Sequence, residues 1–139
     1  AGMARYARIV RAMASIERPV VAAADGVCYG AGFSLLLLAD LVVLGTGARL
    51  CMVFHRIGLV PDVGAFYTLP RAVGLQRARE LVFSAREIDA HEAERLGLAL
   101  EVVPSERLAE RARALAASLA DGPPVATALS KRALNASLG

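Results

Sequence analysis

An α/β fold is predicted for this 139-residue chain by three features. Two short, wholly apolar runs, Val20–Ala24 and Leu41–Leu44, carry the β-branched and small residues of strands buried on both faces. Between them lie a loop of small residues and a Leu-rich segment of helical length, and that order is a parallel crossover unit. The last third switches to short amphipathic helices around one alternating run.

Met3–Ile16 reads as a helix, with Met3, Tyr6, Ile9, Val10, Met13 and Ile16 on one stripe. Arg18 precedes Pro19, which pushes it out of helical conformation and ends the helix. Val20–Ala24 is the first strand, and Asp25–Gly26 turns the chain. Cys28-Tyr29-Gly30-Ala31-Gly32 is a loop feeding a helix over Phe33–Asp40, followed by the strand Leu41–Leu44. Leu50–Phe54 is a candidate strand. The loop Gly58-Leu59-Val60-Pro61-Asp62 leads to a helix over Val63–Leu69, stopped by Pro70, and Gly74 opens a helix over Leu75–Phe83.

Asp89-x-x-Glu92 forms a capping box for a helix reaching Leu96, and Gly97 closes it. Leu98, Leu100 and Val102 alternate as a strand ending at Pro104. Helices over Ser105–Ala120 and Val125–Ser137 flank the hinge Asp121-Gly122-Pro123-Pro124, with stripes Leu108, Ala112, Leu115, Leu119 and Ala126, Leu129, Leu134. Residues 1–87 are thus expected to form a partial core and 88–139 a helical region that packs on another surface.

Hydrophobic residues make up 56% and charged residues 21%, which excludes disorder. The net charge of +3 is almost all arginine, since Lys131 is the sole lysine. Spread charge and 5% aromatics without Trp argue against a nucleic-acid surface and leave small anionic ligands open. Gly26–Ala48 is long enough to span a bilayer, but five glycines interrupt it. Asp40 inside it would also cost roughly 2.5–3.5 kcal/mol, so no membrane span is expected. Cys28 and Cys51 lack metal-ligand spacing and read as buried small hydrophobes in a reducing compartment. No metal is expected, and Ala1–Ser15 has no apolar core of a secretory signal.

Gly30-Ala31-Gly32 is the first candidate for chemistry. Backbone N–H groups at a helix start stabilise an anion, the physics of an oxyanion hole, while close packing explains the same small residues without function. Asp62 is either the N-cap of the helix that follows or a catalytic carboxylate. His55 and His91 read as ordinary core or surface histidines. Phe66 and Tyr67 could line a pocket or simply pack.

The ordered motifs Arg18-Pro19-Val20-Val21-Ala22-Ala23-Ala24-Asp25-Gly26, Gly30-Ala31-Gly32 and Ala39-Asp40 resemble the crotonase (enoyl-CoA hydratase/isomerase) family. The resemblance continues through Gly58-Leu59-Val60-Pro61-Asp62-Val63-Gly64, Leu69-Pro70-Arg71-Ala72-Val73-Gly74, Ala78-Arg79-Glu80-Leu81 and Ile88-Asp89-Ala90-His91-Glu92-Ala93. It implies a spiral of ββα units with C-terminal oligomerisation helices, assembled as a homotrimer or hexamer in the cytoplasm. It also implies an acyl-CoA thioester as partner, with CoA as part of the substrate and no further cofactor, nucleic acid or membrane.

By that resemblance the Ala31 N–H is an oxyanion donor flanked by Gly30 and Gly32, and Asp40 holds a structural place. The family's two catalytic glutamates fall at Ser34 and Phe54, neither of them acidic. Phe54 cannot transfer a proton, which argues against hydration by the two-carboxylate route. Asp62 matches a proton-shuttling Asp of some double-bond isomerases of the family. Its benzoyl-CoA dehalogenases place a nucleophilic Asp there and an aromatic at the position of Phe54. Gly30, Gly32, Ser34, Phe54, Pro61 and Phe66 are the expected substrate contacts, with Asp62 and Ala31 catalytic. The family's N-terminal half, which carries a second oxyanion donor, has no counterpart in these residues. The expectation is therefore a C-terminal half, either part of an enzyme or a non-catalytic assembly or acyl-CoA-binding module, with a sticky exposed sheet edge.

Overall fold

The structure is a computed structural model that describes residues 2–60 and 63–137. Pro61 and Asp62 lie outside the described residues, as do the side chains of Met3 and Tyr6. Helix α1 covers Gly2–Ser15, and Ile9, Val10 and Met13 on its predicted stripe are half-buried. Strands β1 (Val21–Ala24) and β2 (Val27–Tyr29) meet at the corner Asp25–Gly26, and α2 (Ala31–Leu36) follows. The pattern repeats with β3 (Leu41–Gly45), β4 (Arg49–Cys51), a 3-10 turn over Val53–Ile57, and helices α3 (Ala65–Val73) and α4 (Leu75–Ser84). The chain closes with β5 (Ile88–Asp89), α5 (Ala90–Arg95), β6 (Glu101–Val103), a 3-10 turn at Ser105–Arg107, α6 (Leu108–Ala120) and α7 (Pro124–Ser137).

Two three-stranded sheets result. In one, β3 lies between β1 and β6 with all strands parallel; in the other, β4 lies between a parallel β2 and an antiparallel β5. Each ββα unit sends one strand to each sheet, so a corner must be turned between every pair. Two corners stack tightly: the Arg49 amide donates to the Gly26 carbonyl at 2.8 Å. A Cβ at Gly45 would fall 2.7 Å from Asp25 Cγ, so glycine is required there by this close approach. The sheets run across the expected boundary at residues 87 and 88, since β5 pairs with β4 and β6 with β3.

The core sits where α2, α4 and α5 close on the strands: Phe33, Leu44, Leu50, Leu81, Ile88 and Ala93 are almost fully buried. The central strand β3 is covered from Val42 to Gly45, as its apolar run predicts, but β1 is half-exposed, with Ala23 open. Among the described residues β1 pairs only with β3, and sequence composition alone does not distinguish an all-apolar strand with one neighbour from one with two.

Several local expectations are corrected. Cys28 and Tyr29 belong to β2 rather than to a loop, because pairing with Leu50 and Cys51 draws them into the sheet. The helix begins at Ala31 and its regular part ends at Leu36. The candidate strand at Leu50–Phe54 is a strand only to Cys51, then a 3-10 turn. Pro70 does not stop α3, which runs on to Val73; proline removes one helical bond but the last turn still closes through the Gly74 amide on Pro70 O. Asp89 caps α5 by accepting from the Glu92 amide at 2.8 Å, and Gly97 follows with φ 88. Glu92 does not complete the box; its carboxylate pairs with Arg86. The α6 stripe faces inward as predicted, but α7 turns Thr127, Ala128 and Lys131 inward and leaves Leu129 and Leu134 exposed.

Candidate active site

Gly30 is the pivot between β2 and α2. Its φ of 57° and ψ of −122° suit glycine alone, and its amide donates to Cys51 O at 2.9 Å. A Cβ there would lie 3.3 Å from Val53 Cγ1 and 3.6 Å from Phe54 Cζ. The turn therefore needs glycine for both its dihedrals and its contact with the Val53–Phe54 segment. The 30–34 bond, Ser34 N to Gly30 O at 3.0 Å, closes the first turn of α2. The amides of Ala31, Gly32 and Phe33 precede it and have no acceptor within the helix.

Gly30, Ser34 and Leu38 lie at helical spacing along one face of α2 and the turn beyond it. Val53 and Phe54 pack over Gly30, and beyond the end of α2 the backbone of Gly64 approaches Val10 and Leu38, its Cβ position 3.8 Å from Leu38 Cδ2. The chain between Phe54 and Gly64 contains Pro61 and Asp62. Of the sequence-predicted residues, Gly30 and Phe54 are brought together, and Ala31 and Ser34 follow Gly30 in the first turn of α2. Gly32 is exposed beside them, and Phe66, in the first turn of α3, is 62% exposed.

Two features here are not legible from residue types. Ser34 is completely buried, and its Oγ has no hydrogen-bond partner. Val63, 3% exposed, has φ 53°, a left-handed conformation that a β-branched residue adopts only under strain. No sequence signal marks the strain at Val63. The serine at a glutamate position of the resembled family marks Ser34 as unusual without revealing its isolation.

Asp40 has the structural role expected of it. Its Oδ2 accepts from the Val20 amide at 2.7 Å and pairs with Lys131 Nζ at 2.8 Å, while the same ammonium donates to Arg18 O at 2.9 Å. Lys131, the sole lysine, was open to detection by its rarity but not by its partners. Among the thiols, Cys51 Sγ donates to Ala85 O at 3.0 Å, and burial raises the pKa of both Cys28 and Cys51, which are free. His55 rests against the Phe83 ring, 6.2 Å between centroids. Among the described residues no helix is long and apolar enough to cross a membrane.

Paired corners, a two-sheet spiral of ββα units and a glycine pivot feeding amides into a helix start define a crotonase-type domain. A family model described as enoyl-CoA hydratase/isomerase matches residues 4–139, and the chain belongs to that family. A protein of Rhodobacter capsulatus described as a probable enoyl-CoA hydratase is 43% identical over 96% of this chain and 52% of its own length. The crystal structure of an enoyl-CoA hydratase/isomerase from Cupriavidus metallidurans CH34 superposes with a TM-score of 0.94 at 55% identity, over 98% of this chain and 51% of that one. A Thermobifida fusca YX structure in complex with acetoacetyl-CoA superposes with a TM-score of 0.87 at 38% identity, over 90% of this chain and 49% of that one. The chain spans about half the length of the curated relatives it matches.

Proposed function

We propose that the chain contributes to an acyl-CoA thioester enzyme that stabilises an enolate and shifts a proton along the acyl chain. The observation that carries this reading is the Gly30 pivot within a family match over residues 4–139, which presents the Ala31 amide at a helix start. A thioester oxygen accepting from Ala31 N–H gains negative charge as the enolate forms, and a fixed donor stabilises the enolate more than the ground state. Asp62 takes the proton from one carbon and returns it to another, so the double bond moves and the carboxylate is regenerated. One base suffices for this exchange, which suits a site with Ser34 and Phe54 where two glutamates would serve hydration. Gly32, Pro61 and Phe66 complete the proposed substrate contacts. A cytoplasmic trimer or hexamer belongs to the same proposal, supported by the apolar Val125, Leu129 and Leu134 left exposed on α7.

The test is calorimetric titration with a medium-chain enoyl-CoA, paired with an absorbance assay for loss of the conjugated double bond. Asp62→Asn is expected to bind the thioester as tightly as the unaltered protein and to lose turnover by at least 100-fold. Turnover retained in Asp62→Asn would remove Asp62 from the mechanism, and absence of thioester binding would refute the proposed function and leave an assembly role for a chain of this family.

A further inference from the structure

The stabilisation proposed for the Ala31 amide depends on where that N–H points. Gly30 O accepts the Ser34 amide at 3.0 Å, so it faces along α2. In a trans peptide the N–H lies opposite the carbonyl, which turns the Ala31 N–H away from the helix. On its other side Gly30 is fixed through its own amide, which donates to Cys51 O at 2.9 Å. The direction of the Ala31 donor therefore rests on how firmly the ends of β2 and β4 are held.

Tyr29 and Cys51 are register partners at those ends, directly beside this bond. Both side chains reach the short loop between α4 and β5. The Cys51 thiol donates to Ala85 O at 3.0 Å, and the Tyr29 hydroxyl donates to Glu87 Oε2. Arg56, from the turn that carries Val53 and Phe54 over Gly30, donates Nε to Ala85 O at 2.9 Å. Ala85 is buried and left-handed at φ 50°, a conformation uncommon without glycine. Glu87 is itself oriented, with Oε1 3.8 Å from Arg49 Nε on β4. Its hydrogen bond is the main cause of a raised Tyr29 pKa, so the phenol stays a donor through neutral pH. Donors from β2, β4 and the turn around the pivot thus converge on residues 85–87.

We infer that Tyr29 and Glu87 are positioning residues for the oxyanion donor: their hydrogen bond holds the end of β2 so that the Ala31 N–H meets the thioester oxygen. The inference rests on the thioester function proposed above. Both residues act through the backbone of Gly30 rather than on the substrate. A donor that can swing loses most against a charged acceptor, because the enolate oxygen accepts more strongly than the carbonyl oxygen it replaces. Loss of the tie should therefore lower the enolate fraction of a bound β-keto thioester by about three- to tenfold, the worth of one hydrogen bond. The affinity of a thioester that does not ionise at neutral pH should barely change.

The experiment is a titration of the full chain with acetoacetyl-CoA and butyryl-CoA at one pH, reading the ultraviolet band of the enolate. It is made on the unaltered protein, Tyr29→Phe, Glu87→Ala, the combined variant and Glu87→Gln, and amide exchange at Gly30 is followed in each without ligand. Tyr29→Phe and Glu87→Ala are each expected to lower the enolate-to-keto ratio of bound acetoacetyl-CoA by about three- to tenfold, and the two together no further. Gly30 exchange should accelerate by a similar factor, more than the amides of β3 do. Glu87→Gln keeps an acceptor oxygen and is expected to hold the ratio within about twofold. Two outcomes overturn the inference alone: the enolate ratio is unchanged in Tyr29→Phe and Glu87→Ala, or Gly30 exchange changes no more than exchange across β3. Failure of both thioesters to bind, or binding without enrichment of the enolate over free ligand, overturns the proposed function and the inference with it.

Discussion

Replacing Lys131 by methionine tests how the C-terminal helix is held to the body of the fold. The Lys131 side chain is 11% exposed, and its ammonium lies 2.8 Å from Asp40 Oδ2 and 2.9 Å from Arg18 O, and so ties α7 to the loop before β1 and the turn after α2. At an effective dielectric constant of about 20, unit charges at this separation attract by roughly 6 kcal/mol. Desolvation of the ammonium and about 2 kcal/mol of lysine side-chain entropy oppose this. Asp40 retains the Val20 amide and is 28% exposed, so its carboxylate is not stranded when the lysine is lost. The expected net loss is about 1–3 kcal/mol, below the 3–5 kcal/mol typical of a fully buried pair. Urea unfolding followed by circular dichroism measures the loss. Amide exchange should show α7 accelerating more than β3, because the broken tether is local. Asp40→Asn combined with Lys131→Met should cost less than the sum of the two single changes. A change in stability below about 0.5 kcal/mol with unaltered exchange in α7 would refute the argument that this pair docks the helix.

Two further substitutions probe the site and the α4–α5 junction. Gly30→Ala should lower stability by about 1–3 kcal/mol, since alanine is strained at φ 57° and its methyl meets Val53; a melting temperature equal to that of the unaltered protein would contradict the pivot. Arg86 bridges Glu80 and Glu92, and its guanidinium holds the Glu80 carboxyl down to about 2 and the Glu92 carboxyl below the usual range. Because these folded-state values are depressed, the contribution is full above the unfolded carboxylate pKa of about 4.3 and is lost as pH falls towards 2. Arg86→Gln should therefore flatten the stability profile between those limits, and an unchanged acid limb would dismiss the bridge.

Much of the architecture is written in local pattern. Apolar runs marked β1 and β3, Asp89 and Gly97 marked both ends of α5, and the Leu108–Leu119 stripe marked the inner face of α6. These succeeded because period, capping and glycine conformation act within a few residues. Motif order further identified the family and singled out Gly30, Ala31, Ser34 and Phe54. The failures share a different cause. How far each residue of β1 is covered, whether Cys28 and Tyr29 pair, and which side of α7 turns inward depend on neighbours distant in sequence. Leu129 and Leu134 looked like the inner face of α7 on apolarity alone. The Asp40 carboxylate, 91 residues before Lys131 in the chain, turns the helix the other way. In the same manner, Ser34 reads from sequence as a small helical residue; only the tertiary structure buries its hydroxyl completely and leaves it without a partner. Residue types and their short-range periodicities determined the elements and the family, while burial, pairing and strain required the tertiary structure, because each is a property of groups brought together across the chain.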